Sequence, residues 1–365
     1  MAPTSTSLFL TAAAVISSIA TLATGSPVAA AADTALPKPV WTLTPTQSAQ
    51  RFRGLAPVSA HTAWVAGTNG TILRTEDGGA TWTSVGPQSP DALEFRDIAA
   101  WSAAHAVALS IGAGPASRIY ATADGGASWR LAFANADPDA FYDALAFSER
   151  DPAHGVAVSD PVGGRFRLLE TRDQGLSWTL LPSAMRIPAR AGESAFAASG
   201  TCLETRAGRW YLATGGAAPW GRVLGSADNG ASWGSVGETP IPAANASQGV
   251  FSVRFRDAGR GIVVGGDYQD PTRTSGTAGW SEDGGATWNP AAQGPGGYRS
   301  GAAWVSGLCS KGAAVAVGPT GSDFTLDGGR TWHGFDDGSF DAVECVGGRV
   351  CWASGEKGRV ARLVF

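Results

Sequence analysis

One octapeptide recurs six times along the chain and restricts its possible folds more than any other feature. Its first copy is Thr75–Trp82, and its consensus is [Ser/Thr]-x-Asp-x-Gly-x-[Ser/Thr]-Trp. The copies begin at residues 75, 122, 171, 226, 281 and 325, so neighbouring copies start 44 to 55 residues apart. A unit of this length at nearly constant spacing is typical of repeat architectures, in which each unit is one supersecondary structure.

The residues of the octapeptide predict a tight turn between two strands. An Asp carboxylate accepts backbone N–H groups of its own turn, and Gly takes the position that needs a positive φ. A carboxylate held in this way is a poor acid or base, so we expect the six Asp residues to be structural. They are Asp77, Asp124, Asp173, Asp228, Asp283 and Asp327.

The composition is that of an all-β protein. The 365 residues include 50 Gly and 21 Pro, and short apolar runs between them replace any long helical periodicity. Only 16% of the residues are charged and the net charge is −4, which argues against a nucleic-acid-binding surface.

The octapeptide resembles the Asp-box, or BNR repeat, and this resemblance implies a β-propeller, as in sialidases. Each copy would occupy the corner between the third and fourth strands of a blade. Three strands without an octapeptide follow the last copy, at residues 340–346, 349–354 and 359–365, and the segment 40–46 can supply their fourth strand. We therefore predict a seven-bladed β-propeller over residues 33–365, with the last blade closed by the N-terminal strand.

The N-terminus has a different composition from the rest. Residues 1–32 contain an uncharged apolar run that ends in small residues, which predicts a cleaved secretory signal peptide and an exported protein, periplasmic or extracellular. A retained anchor is the alternative, because no Lys or Arg precedes the run. No other segment is long and apolar enough to span a membrane.

Four cysteines allow three complete pairings. Cys345 and Cys351 take near-opposite positions on a predicted hairpin, so we expect a disulfide between them in an exported protein. The states of Cys202 and Cys309 stay open. The four histidines show no metal-ligand spacing, so we predict no metal.

The starts of the innermost strands predict a polar mouth at one end of the central channel. Aligned on their aromatic residues, these strands place one set of polar residues at the same register: Arg53, Arg96, Asp143, Glu193 with Ser194, Ser252, Arg299 and Asp341. A second set lies on loops expected round the same face: Asp160, Asp267, Tyr268, Tyr298 and Asp323. The first set is either a binding site or a ring of mutual salt bridges. For the loop segment Gly318–Asp323, an ordinary turn without a role in binding is the alternative interpretation.

Several of these segments, at 159–166, 192–200, 251–257, 265–268, 297–300 and 318–323, resemble a bacterial propeller family. Its members are often labelled oxidoreductase or related to the photosystem II stability and assembly factor. The resemblance implies a propeller that binds a protein through an arginine-rich patch, for which Arg53, Arg96 and Arg299 are the candidates. No dinucleotide loop, haem motif or redox Cys-x-x-Cys supports an oxidoreductase, so we predict no cofactor.

Two functions compete for the mouth. The first is a monomeric, non-catalytic scaffold that binds a protein or peptide with acidic groups and serves the assembly or stability of an envelope complex. The second is a glycoside hydrolase of the sialidase-like superfamily, with carboxylates such as Asp143 and Glu193, or Asp267 and Asp323. Arg186-Ile187-Pro188 imitates a sialidase signature but follows the third octapeptide instead of preceding the first, so we interpret it as coincidence.

Overall fold

Regular structure in the described part of this chain is almost entirely β-strand. The computed structural model describes Met1 and residues 38–89, 91–182, 185, 187–347 and 349–365. Apart from Met1, the predicted signal peptide lies outside these residues, as does Arg186 of the Arg-Ile-Pro segment. Residues 38–365 form one compact unit, and its described residues contain 28 strands and a 3₁₀ helix at Gly114–Ala116.

Most of the strands form antiparallel sheets of four. The first three sheets are β2 (Phe52–Pro57), β3 (Ala63–Gly67), β4 (Ile72–Thr75) and β5 (Thr83–Ser84); β6 (Glu94–Ala100), β7 (Ala106–Ile111), β8 (Arg118–Thr122) and β9 (Arg130–Ala134); and β10 (Tyr142–Phe147), β11 (Gly155–Val162), β12 (Arg165–Thr171) and β13 (Thr179–Leu180). The last two are β22 (Gly301–Val305), β23 (Ala313–Gly318), β24 (Gly321–Thr325) and β25 (His333–Asp336); and β26 (Ala342–Val346), β27 (Val350–Ser354) and β28 (Val360–Val364) with β1 (Thr42–Leu43).

One sheet has eight strands because its long strand β18 belongs to two successive groups of four. It comprises β14 (Glu193–Ser194), β15 (Leu203–Arg206), β16 (Arg209–Ala213), β17 (Gly215–Ser226), β18 (Gly234–Phe255), β19 (Gly261–Asp267), β20 (Ala278–Ser281) and β21 (Asn289–Pro290). The beginning of β18 pairs with β17 and its end pairs with β19.

The sheets pack face to face around a closed ring of first strands. The second strands β7 and β23 are buried along their whole length, and they consist mainly of Ala and Val, which suit a sheet covered on both faces. The strands β2, β6, β10, β15, β18, β22 and β26 contact one another in this order, and β26 contacts β2. The starts of β2, β6 and β10 lie at the same end of this ring.

Each octapeptide forms the connection between a third and a fourth strand, and all six share one hydrogen-bond pattern. In the first copy, the hydroxyl of Thr75 donates to Asp77 Oδ1, and the backbone N–H of Gly79 donates to that hydroxyl. Thr81 donates its N–H to Asp77 Oδ1 and its hydroxyl to Oδ2. The same four bonds recur in every copy. The fifth residue has a φ of +84° to +90°, which explains why it is always Gly.

The N-terminal strand completes the sheet of the C-terminal strands. Strand β1 pairs with β28, and Trp41 beside it donates its indole N–H to Ser322 Oγ at 3.0 Å. The strand is shorter than the segment 40–46 that the sequence predicted. Cys345 and Cys351 face each other in β26 and β27 and form a disulfide.

Two buried carboxyl groups tie neighbouring first strands together at the far end of the ring. Asp97 in β6 accepts the backbone N–H of Leu145 in β10 at 2.7 Å, and Glu204 in β15 accepts that of Phe255 in β18 at 2.6 Å. Both line a cavity of about 310 Å³ at the ends of the first strands. Their position makes them part of the scaffold.

Candidate functional site

A cavity of about 620 Å³, here named the mouth cavity, opens at the starts of the first strands. Eight of the residues predicted for the mouth line it: Arg53, Arg96, Asp143, Asp160, Ser194, Tyr268, Tyr298 and Asp341. The structure adds Arg51, Phe196 and Phe251, which sequence reasoning missed. Its lining therefore combines three arginines, three acids and several aromatic rings.

The arginines form one wall of the cavity, and two of them have strong partners. Arg51 donates Nε to Asp341 Oδ2 at 2.7 Å and Nη2 to Oδ1 at 2.6 Å, a bidentate pair. Arg96 donates Nε to Glu94 Oε1 at 2.8 Å and Nη1 to the carbonyl of Ala197 at 3.0 Å. These contacts hold both guanidinium groups in place.

Arg53 lies between these pairs, and its guanidinium group lacks close hydrogen-bond partners among the acidic side chains around it. Its nearest acidic oxygens, on Glu94 and Asp341, are each 3.6 Å away. Its Nε is buried and has no hydrogen-bond partner among the described residues. Burial lowers the pKa of Arg53, and the nearby Arg96 and Arg51 lower it further although Asp341 opposes them. A ligand anion would relieve both the missing hydrogen bond and the repulsion between like charges.

Asp143 and Asp160, here named the acid pair, form a second polar group of the cavity. Asp143 is 2% exposed, and burial raises its pKa well above the usual range, with the charge of Asp160 adding to the effect. Burial also raises the pKa of Asp160 to about 6, although Oδ1 of this residue accepts the backbone N–H of Ala195 at 2.9 Å. Burial therefore disfavours the ionised form of both carboxyl groups.

An aromatic cluster forms the third part of the cavity. The rings of Phe196 and Phe251 are stacked at 3.9 Å, and Tyr298 meets Phe251 edge to face at 4.7 Å. Tyr268 also contacts Phe251 edge to face and is 49% exposed. Rings with one open face can cover the apolar part of a ligand.

Glu193 does not line the cavity, and the strand that contains it is not the first strand of its sheet. The two-residue strand β14 pairs with β17, and β15 takes the innermost position. Glu193 accepts two hydrogen bonds from Arg222 at 2.6 Å and one from the hydroxyl of Thr214 at 2.6 Å. These bonds keep its carboxylate buried, and its neighbour Ser194 reaches the cavity instead.

Arg299 and Asp323 also lie outside the mouth cavity, because they form a buried ion pair with each other. Arg299 Nε and Nη2 both lie 2.6 Å from Asp323 Oδ2, and both side chains are 2% exposed. Asp267 is likewise outside the cavity lining, and its carboxylate accepts hydrogen bonds from Ser247 and Gln248. Neither carboxylate pair that was expected for a glycosidase is therefore assembled in the cavity.

One sequence signal could have indicated Arg51. Alternate residues of a strand point to the same side, so the residue two positions before Arg53 is expected to face the same opening. No comparable signal marks Phe196, which lies in a segment without regular structure between β14 and β15.

Comparison with solved structures identifies the fold. A structure of YCF48 bound to D1 peptide matches with a TM-score of 0.60 and 14% identity, over 89% of this chain and 95% of that chain. YCF48 from Cyanidioschyzon merolae gives 0.59 and 14%, over 89% and 98%. The WD40 beta propeller domain of Doa1 gives 0.55 and 10%, over 89% and 97%. The fold is a β-propeller.

At these identities the structural similarity establishes the fold of this propeller and leaves its ligand to be argued from the cavity. No protein-family model and no curated protein sequence matches the chain. Within the part of the chain that the structure describes, no helix has the length and apolarity needed to cross a membrane.

Proposed function

We propose that this propeller binds a protein or peptide segment in the mouth cavity and does not catalyse a reaction. The observation that carries the proposal is Arg53, whose buried Nε lacks a hydrogen-bond partner among the described residues. Because two further arginines flank it, a carboxylate of the ligand would find a preformed site there. The aromatic cluster supplies the apolar contact that a peptide side chain needs.

The similarity to YCF48 supports a peptide as the ligand, since one of the matched structures is of YCF48 bound to D1 peptide. We propose on this basis that the protein serves the assembly or stability of a larger complex. The ligand is identified here only by its chemistry, as a peptide with an acidic group.

We further propose that the propeller has seven blades and that the octapeptides are Asp-boxes of its scaffold. The closed sequence of contacts from β2 through β26 and back to β2 supports the blade number. The common hydrogen-bond pattern of the six turns supports the second point, because it uses the Asp carboxylates within the turns themselves.

Export from the cytoplasm is also part of the proposal. The disulfide between Cys345 and Cys351 supports it, because such bonds persist in oxidising compartments. The signal peptide is expected to be removed, and the envelope or the extracellular space is the proposed location.

The experiment that tests peptide binding is a selection of random dodecapeptides on the immobilised protein. The wild-type protein should enrich peptides with acidic residues or a free carboxyl terminus. Arg53→Met should weaken their binding by about 1.5–3 kcal/mol, the contribution of a charge-assisted hydrogen bond. The matched control is Arg172→Ala, since Arg172 is 58% exposed at the outer surface and pairs with Glu170. Failure to enrich any peptide would refute the proposal.

A glycoside hydrolase is the second candidate, and the acid pair favours it. Among the described residues, neither Asp143 nor Asp160 forms an ion pair with an arginine, and both have a raised pKa, as a general acid requires. Hydrolysis of 4-nitrophenyl glycosides by the wild-type protein, abolished in Asp160→Asn, would establish this activity. Equal background rates for the two proteins would exclude these substrates.

A further inference from the structure

We propose that the acid pair is a subsite for a cationic group, a primary amine or a guanidinium, on the same peptide that binds to Arg53. This inference rests on the proposed function and specifies the ligand further. The mouth cavity would then select a peptide in which a basic side chain lies near an acidic group.

The first observation is an oxygen atom without a partner. Asp143 is 2% exposed, it lines the mouth cavity, and its Oδ2 has no hydrogen bond to any described residue. A buried carboxyl oxygen left unsatisfied costs free energy that a hydrogen-bond donor of the ligand would recover. Asp143 is therefore prepared to receive a donor from inside the cavity.

The second observation concerns the charges around this oxygen. The acidic group of Asp160 is close enough to raise the pKa of Asp143, while the cation of Arg96 lowers it more weakly than burial and Asp160 raise it. The buried thiol of Cys202 is another titratable group that interacts with the acid pair, and burial raises its pKa well above the usual range, so it stays neutral. Among the described residues, the acid pair thus has no arginine or lysine within ion-pair distance, and the more distant Arg96 is the cation that acts on Asp143.

A cationic donor fits this site better than a neutral one. Two neighbouring carboxyl groups whose pKa values are raised by burial ionise more readily once a cation lies between them, and the protons they release go to solvent. A backbone amide of the ligand would satisfy Oδ2 but would not offset the repulsion between the two acids. A lysine or arginine side chain does both.

The arrangement also gives the ligand a direction. Arg53 belongs to β2 and Asp143 to β10, so that β6 with Arg96 lies between the anion site and the cation site. Arg96 is held by Glu94 and the carbonyl of Ala197, which keeps it from swinging across to neutralise the acid pair. A peptide with both charges would therefore span the opening in one orientation.

The test uses peptides selected from the random dodecapeptide library on the full-length protein. We expect a lysine or arginine at a fixed spacing from the acidic group in the enriched sequences. One selected peptide and its analogue with norleucine in place of the basic residue are then titrated by fluorescence polarisation. The proteins are the wild type, Asp143→Asn, Asp160→Asn and Asp139→Asn, the last being a control at an exposed aspartate that is absent from the cavity lining.

Asp143→Asn should weaken the affinity for the basic peptide by about 10- to 100-fold and change the affinity for the norleucine analogue by less than about 2-fold. Asp139→Asn should leave the affinity for both peptides unchanged. The affinity for the basic peptide should rise from pH 5 to pH 8, because a bound cation favours the ionised form of Asp160, whose pKa burial raises to about 6, and the analogue should show no such rise.

Three results separate the possible failures. If peptides are enriched without any basic residue, or if Asp143→Asn weakens both peptides equally, the subsite receives a neutral donor only and the inference is wrong while peptide binding stands. If no peptide is enriched, the proposed function itself is wrong. Circular dichroism and thermal unfolding of each variant verify that it is folded, and Asp160→Asn provides a second test should Asp143→Asn not fold.

Discussion

Replacing Arg299 by methionine removes the cation from a buried ion pair next to the mouth cavity. The change leaves Asp323 buried with the backbone N–H of Gly296, 3.1 Å away, as its remaining charge-stabilising partner. It also removes the bonds that Arg299 Nη1 donates to the carbonyl of Tyr298 and the hydroxyl of Thr320, both at 2.9 Å. Breaking one side of a buried pair costs about 3–5 kcal/mol, so we expect a loss of that size in the free energy of unfolding.

The loss is measured by urea unfolding, followed by tryptophan fluorescence under conditions where refolding is reversible. The double variant Arg299→Met with Asp323→Leu should lose less stability than the sum of the two single variants, by about 0.5–3 kcal/mol, because each single variant leaves a buried charge unpaired and the double variant leaves none. The surface control Arg172→Ala should lose less than about 1 kcal/mol. The affinity of Arg299→Met for a selected peptide should stay within about 2-fold of wild type.

A loss for Arg299→Met as small as that of the surface control would refute the reasoning, because the pair would then not be buried as the structure has it. A large loss of peptide affinity in a stably folded Arg299→Met would instead return this arginine to the binding site.

Three further predictions concern stability. Burial raises the pKa of Asp97 to about 7 and that of Glu204 to about 8, so the folded state binds more protons than the unfolded state above pH 4. The melting temperature should therefore fall as the pH rises from about 4 to 8, and it should fall less steeply in Glu204→Gln. The hydroxyl and backbone N–H of Thr81 lower the pKa of Asp77 to about 2, and Ser128 has the same effect on Asp124. The stability that these ionised carboxylates give the folded protein should disappear as the pH falls from about 4 to 2, and the melting temperature should decrease less over this range in Asp77→Asn. Reduction of the disulfide, whose cysteines are 6 positions apart, should cost about 2 kcal/mol in the free energy of unfolding, whereas a Cys345→Ser, Cys351→Ser variant should be insensitive to reductant.

The repeat could be read from the sequence because the physics of each octapeptide is local. All four hydrogen bonds of Thr75 to Thr81 join residues within five positions of each other, so the turn needs no distant partner. The pairing of β1 with β28 is a distant contact, and it was predictable because a group of three strands at the C-terminus lacked its fourth.

The fourth unit was harder to predict because its aromatic marker is missing. Glu193 follows a glycine and precedes small residues, as a first strand of this chain would, yet its carboxylate is drawn to Arg222, 29 residues further along. The true innermost strand, β15, carries Glu204 in the buried position instead.

The mouth could be located from the sequence, but the partners of its charges could not. The register after each aromatic residue brings Arg53, Arg96 and Asp143 to one cavity. The same register places Arg299 at a strand start, where its guanidinium turns to Asp323, 24 residues away, and is buried. Which arginine stays available depends on such side-chain pairs, and these follow from the packed structure alone.

A crystal structure of the protein with one selected peptide is the decisive test of peptide binding in the mouth cavity. A peptide carboxylate should lie within hydrogen-bond distance of Arg53 Nε, and an apolar side chain of the peptide should pack on the aromatic cluster. A peptide bound at the opposite end of the ring, beside Glu204, with no contact to Arg53, would contradict binding in the mouth cavity.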